Sequence, residues 1–268
     1  MPRSAPVPPA TSPRRTVPVV GAVAEAVAVA VADALAVLLP VACAGCGRAD
    51  RSVCAACRLA LGTRPVRVAR PGVDAWAAFT YDGVPARVIG AYKDGGRTDA
   101  ARPLANALRS AIAAAITAAL AAREDPGVVA AGRPAVAARG PIELCTVPSS
   151  PRALRERGYA PVDRLLATAG LRPAGVLRLT REHADQAALG IGARRANAAG
   201  SLAARHPLTG RRFLLVDDVL TTGATLAEAS RAVLAAGGAI AGAAVLADTP
   251  RRLGGVTWAR ADRSSGAS

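Results

Sequence analysis

The sequence predicts an α/β fold: a parallel sheet flanked by helices, with a small N-terminal four-cysteine zinc-binding module outside it. Three observations predict it. Short apolar runs of strand length alternate with longer helical patterns, as in a parallel sheet covered by its connecting helices. The apolar run Phe213–Val216 passes directly into Asp217-Asp218, a Thr/Gly turn and a helical pattern. Ahead of the first strand, Cys43, Cys46, Cys54 and Cys57 form C-x2-C-x7-C-x2-C.

Composition sets limits. With 268 residues and 51% apolar content, the chain can bury a sizeable core and still carry an appendage. Aromatic residues are 3% of the chain and Lys93 is the only lysine, so Ala, Gly, Pro and Arg dominate, the bias of a GC-rich genome. A formal charge of +15 favours polyanionic partners such as nucleic acid or pyrophosphates. Because no aromatic side chains are interleaved with the arginines, a solvated surface explains the charge about as well.

In chain order, residues 1–20 are rich in Pro, Ser and Arg without periodicity, and read as a disordered leader. Gly21–Leu39 is almost entirely apolar. Arg14-Arg15 before it and Cys43 after it raise the option of an export signal. Glu25 and Asp33 within it, and Pro40 at its end, favour a helix lying on the protein itself, hence no membrane span and a cytoplasmic location. In the knuckles, small residues (Ala44, Gly45, Ala55, Ala56) let both C-x-x-C pairs turn four thiolates toward one structural Zn2+; disulfides are the alternative. Residues 21–62 therefore form one helix-plus-knuckle module, and 63–74, rich in Arg, Val and Pro, a linker.

The sheet domain is expected over 75–250, followed by a disordered tail at 251–268. Trp76–Tyr81 reads as a strand, Asp82-Gly83 as a turn, Val84–Tyr92 as a short helix and Arg102–Arg123 as a long alanine-rich one. Glu124–Gly140 has no period and reads as a surface loop; Ile142–Val147 returns to a buried strand. Pro148–Pro151 is a tight loop, Pro161–Ala169 a helix, Val176–Leu179 a further strand and Ala239–Ala247 the last. Cys145, alone in an apolar segment, reads as a small buried hydrophobe, and His183 and His206 have no metal-ligand spacing.

Three constellations carry chemistry. The turn Thr221, Thr222, Gly223, Ala224, Thr225 offers hydroxyls and the free N–H groups of a helix start to a phosphate monoester. Asp217 and Asp218 would repel a phosphate, so they suit sugar hydroxyls or Mg2+ beside it, and a sugar phosphate has both features. Neither G-x-x-x-x-G-K-[ST] nor G-x-G-x-x-G is present at this turn. Ser149, Ser150, Arg152, Arg155 and Arg157 follow a predicted strand and would clamp a diphosphate, or else form a solvated basic helix start. The polar stretch with Arg181, Arg194 and Arg195 reads as a lid that excludes water, or as a plain surface helix.

LLVDDVLTTGAT resembles the phosphoribosyl-pyrophosphate (PRPP) motif of type I phosphoribosyltransferases. The resemblance implies that Asp217 and Asp218 bind the ribose 2′ and 3′ hydroxyls while Thr221–Thr225 bind the 5′-phosphate, with Mg2+ accompanying PRPP. The order of a four-cysteine knuckle, YDG, VPSSPRALRERGYAPVDRLL, the Arg/Gln/Asn-bearing stretch and the PRPP motif resembles the ComF family, over roughly Val31–Arg251. That implies a type I phosphoribosyltransferase-like domain, a role in DNA uptake, and single-stranded DNA and a DNA-uptake helicase as partners. Thr221 stands where purine phosphoribosyltransferases carry an aspartate proposed to accept a proton, and a threonine cannot do so at neutral pH. A binding or adaptor protein and an active phosphoribosyltransferase with a metabolic acceptor are the two readings that result.

Overall fold

The computed structural model describes residues 41–49, 51–62, 64–124, 140–180 and 200–250. The readings made of the leader, of Gly21–Leu39, of most of the Glu124–Gly140 loop and of the 251–268 tail fall outside these residues. The strands are β1 (Val66–Arg70), β2 (Val73–Thr80), β3 (Ile142–Thr146), β4 (Leu177–Leu179), β5 (Leu202–Ala204), β6 (Arg212–Leu220) and β7 (Ala239–Asp248). The helices are α1 (Ala55–Ala60), α2 (Gly83–Lys93), α3 (Ala101–Glu124), α4 (Pro151–Arg157), α5 (Pro161–Thr168) and α6 (Ala224–Ala235). A 3-10 turn, Thr98–Ala100, leads into α3.

The main sheet has the order β1-β2-β7-β6-β3. Its last four strands run parallel, and β1 closes one edge antiparallel to β2. Strand β6 lies between β7 and β3 and is buried on both faces, which is why it reads as an unbroken apolar run rather than an alternation. Phe213, Leu214, Leu215 and Val216 are each no more than 2% exposed. Successive side chains point to opposite faces. Leu214 and Val216 join Ile89 of α2, Leu108 of α3 and Leu166 of α5. Phe213 and Leu215 join Leu226, Ala229 and Val233 of α6. The same alternation carries Asp218 to the face of α2, which matters for the site below.

Helix α3 buries Leu104, Leu108, Ala111, Ile112 and Ala115 at helical spacing. By length and composition it would also cross a membrane, but this stripe belongs to the core cluster shared with the sheet.

Two expectations are corrected. The stretch read as a linker holds β1: in VRVAR the apolar residues alternate, and Pro71-Gly72 makes the turn that pairs Arg70 with Val73, Gly72 taking φ +74°. The strand at Val176–Leu179 does not join the parallel sheet. Residues Leu177–Leu179 pair antiparallel with Leu202–Ala204 in a separate two-stranded sheet. A run of three residues has too few ladder bonds to specify its neighbour, and Leu177 instead packs with the α6 cluster.

The ribbon is fixed to α6 by Glu228, which is 5% exposed. Its carboxylate accepts from the Leu202 N–H at 3.0 Å and from Arg231 Nε and Nη2, both at 2.7 Å; Arg231 Nη2 also donates to the Leu202 carbonyl at 2.8 Å. Burial pushes Glu228 up, but Arg231 and the Leu202 and Gly200 N–H groups outweigh it and hold the carboxyl below its ordinary 4.5. A depressed folded value means stability present above 4.5 and lost as pH falls. Glu228→Gln is expected to lose roughly 1–3 kcal/mol near pH 7 in denaturant unfolding. The gap to the wild type should narrow below pH 4.5; an equal gap at both ends would contradict the account.

Candidate functional site

Asp217 and Asp218 occupy the last part of β6, where the strand leaves the core and reaches the C-terminal edge of the parallel sheet. Two adjacent carboxylates there repel each other in a site short of water. Burial and the Asp218 charge push the Asp217 carboxyl up to about 7, against the Asp218 N–H and the Lys93 charge, which pull it down. Asp217 Oδ1 accepts from the Asp218 N–H at 2.8 Å, and Asp218 Oδ1 from the Val219 N–H at 2.7 Å. Asp218 also has a countercharge: Lys93 Nζ, at the end of α2, lies 2.5 Å from its Oδ2.

The turn after β6 is open on one side and braced on the other. Thr221, Thr222 and Thr225 are exposed, while Gly223 is buried as the N-cap of α6 with φ +84°. A Cβ there would lie 3.0 Å from the Cβ of Arg70, so the close approach and the positive φ both demand glycine. The Ala224 N–H donates to Thr222 Oγ1 at 3.3 Å, and the other N–H groups of the first turn of α6 have no intrahelical acceptor. Arg70, from the end of β1, holds the outer wall. Its Nε donates to the Thr221 carbonyl at 3.0 Å and its Nη2 to the Thr249 carbonyl at 2.8 Å and to the Asp248 carboxylate. The Arg70 side chain is 7% exposed, and its two Nη2 bonds are partly sheltered from solvent.

The arginines that follow β3 are arranged differently from a loop clamp. Ser150 caps α4 by accepting from the Ala153 N–H at 3.2 Å, and Pro151 takes the first turn, so Arg152, Arg155 and Arg157 all lie on a helix. Arg152 Nε donates to Glu156 at 2.7 Å, and Arg157 Nη2 to Asp94, beside Lys93, at 3.0 Å. Arg155 is exposed, and Ser149 is half-buried in the turn between β3 and the helix. Tyr159, just beyond, donates to the Tyr92 carbonyl; its ring lies 5.6 Å from the Tyr92 ring and 5.3 Å from the Arg164 guanidinium. Arg181, Arg194 and Arg195 lie outside the described residues.

The knuckle brings Cys43, Cys46, Cys54 and Cys57 together, with their ligand atoms all within 4.8 Å of one another. All are free thiols, and Cys46 Sγ stands 3.7 Å from Cys54 Sγ. That is too long for a disulfide and close to the ~3.8 Å edge of a tetrahedron with metal–sulfur bonds of about 2.3 Å. Burial pushes the Cys43 thiol up, but N–H donors from Cys54, Cys46 and Gly45 prevail and hold it at about 6, an acceptor environment suited to a thiolate ligand. Burial and the three neighbouring sulfurs push Cys57 up to about 12. The four cysteines thus fit one metal ion such as zinc. A Cβ at Gly45 would meet Cys57 Sγ at 2.7 Å, so glycine is needed for the knuckle to close. The knuckle rests on α2: Arg87 donates to the Gly45 carbonyl, and Arg97 Nη1 to the Ala42 carbonyl at 2.8 Å.

Sequence reasoning did not assign Lys93 or Arg70 to the site. Lys93 carried one signal, as the only lysine in an arginine-rich chain. Arg70 carried a weaker one, the strand alternation of VRVAR before Pro-Gly.

A mostly parallel sheet with helices on both faces, an acid pair near the end of an inner strand, and a Thr/Gly turn opening the next helix fit the α/β fold of phosphoribosyltransferases. Residues 164–256 match the family model of the phosphoribosyl transferase domain. That match covers the acid pair and the turn, and it supports ribose-phosphate binding or phosphoribosyl transfer as the class of function. No curated protein matches the chain.

Metal analysis of protein purified without chelator should find one ion, zinc foremost, per chain, and Cys54→Ser should lose it. Metal-free folded protein with four freely reactive knuckle thiols would contradict this.

Proposed function

We propose that this chain is a ComF-like phosphoribosyltransferase-domain protein that binds PRPP or a related ribose phosphate with Mg2+ at the C-terminal edge of its sheet. The observation that carries the reading is the junction of Asp217-Asp218 with the glycine-capped start of α6, supported by the family match at 164–256. The first-turn N–H groups and Thr hydroxyls would take the 5′-phosphate. Asp217 and Asp218 would accept from the ribose hydroxyls. Mg2+ would supply charge neutralisation for the diphosphate, and Asp217, whose carboxylate makes no ion pair among the described residues, is the group open to it. Ser149, Ser150, Arg152, Arg155 and Arg157 would take the diphosphate, with Arg181, Arg194 and Arg195 as the lid.

Binding rather than base transfer is favoured by Tyr159. Its hydroxyl is engaged with Tyr92, and its ring is flanked by Tyr92 and Arg164, so it offers a base little free stacking surface. On this reading the knuckle holds structural zinc, the protein is cytoplasmic, and the net charge of +15 serves single-stranded DNA in uptake alongside a helicase. No binding of single-stranded DNA at low salt would remove that part. The second reading, an active transferase, has an acceptor bond to ribose C1 while the C1–oxygen bond breaks and pyrophosphate leaves with its electron pair. Pyrophosphate release that depends on an added nucleobase would select it.

PRPP with Mg2+ at about a hundredfold over its Kd should raise the Tm by roughly 5 °C or more. The double variant Asp217→Asn, Asp218→Asn should abolish the shift, and an unchanged shift in that variant would refute the role given to the acids.

A further inference from the structure

We infer that Lys93 is a ligand-contacting residue of this pocket, its ammonium placed to take the diphosphate of PRPP, an assignment that rests on the ribose-phosphate reading above. Contacts order the groups along the sheet edge. On the β7 side, Arg70 ties the Thr221 turn to Asp248 and Thr249. In the middle stand Asp217 and Asp218. On the β3 side, Lys93 holds Asp218 and the adjoining Asp94 holds Arg157 of α4, the helix that follows β3. PRPP has the same order of parts: a 5′-phosphate, the 2′,3′ diol, and a diphosphate on C1 at the opposite end of the ring. With the phosphate in the turn and the diol on the acids, the diphosphate falls on the Lys93 side.

The chemistry of the side chain agrees. An ammonium is a point charge with three rotatable donors, so it can keep Asp218 and still donate to a second anion. A guanidinium can instead close its fork on one carboxylate, as Arg211 does with both oxygens of Glu143. Lys93 is 29% exposed at the side chain, so a ligand can reach it. Its helix is also held in place. Arg87 grips the Gly45 carbonyl of the knuckle near the start of α2, and the Tyr92 hydroxyl donates to the Pro161 carbonyl at 2.9 Å near its end. The ammonium is therefore pre-placed, and little ordering remains to be done on binding.

The test is calorimetric titration of PRPP and of ribose 5-phosphate, in the same Mg2+ buffer, into wild type, Lys93→Met and Lys93→Arg. Ribose 5-phosphate keeps the diol and the 5′-phosphate but lacks the diphosphate. Lys93→Met should weaken PRPP about tenfold or more while ribose 5-phosphate changes by less than about threefold; Lys93→Arg should recover part of the loss. Should the methionine variant fail to fold, Lys93→Gln is read the same way. Equal weakening of both ligands would show that Lys93 only steadies Asp218, and unchanged PRPP affinity would likewise overturn the assignment. If the wild type binds neither ligand, the pocket itself is refuted and the assignment with it; binding by the wild type isolates the failure to Lys93.

Discussion

Two like charges at the end of a buried strand are the constraint around which the described structure is arranged. Strand β6 must be apolar along its inner length, because helices cover both faces, yet it ends in Asp217-Asp218. Burial and mutual repulsion push Asp217 up to about 7. Such a pair costs free energy unless cations and donors surround it. Lys93 supplies the first, from a helix on the same face as Asp218. The strand's own N–H groups at Asp218 and Val219 supply the second. Stability is thereby traded for an edge that is short of a partner, and a diol or a cation is the kind of group that relieves it.

The elements around the acid pair each hold one side of it. Arg70 reaches from an edge strand to the turn after β6, where Thr221 lies 151 positions further along the sequence. Helix α2 reaches from the other direction and is itself braced by the cysteine knuckle through Arg87. A module that looks like a separate appendage in the sequence therefore supports the helix that carries Lys93. A metal ion held by the four cysteines would tie the knuckle together and so stiffen that support.

What the sequence made legible was local. Strand, turn and helix at β6 and α6 follow one another within a single stretch, and their periodicity, glycine and acid pair were all readable, as was the spacing of the cysteines. What it left hidden was pairing at long range. Leu177–Leu179 has the composition of a strand, but nothing in it names Leu202–Ala204 as its partner. Val66–Arg70 looked like a linker because arginine, proline and glycine outweighed a short alternation, although the antiparallel ladder to β2 orders it. Arg152 and Arg157 read as a diphosphate clamp or a solvated helix start, and the sequence did not name Glu156 and Asp94 as their partners, the second just past a helix more than sixty residues away. Lys93 and Arg70 escaped for the same reason: each acts on a residue that only the folded sheet brings near.

The central claim is that the end of β6 and the start of α6 form one ribose-phosphate cradle. The most direct measurement is a crystal structure of the protein with ribose 5-phosphate bound. The account predicts the phosphate against the N–H groups and hydroxyls of Thr221–Thr225 and the 2′,3′ diol on Asp217 and Asp218. A sugar phosphate seated elsewhere on the sheet, with the Thr221–Thr225 turn empty, would contradict it.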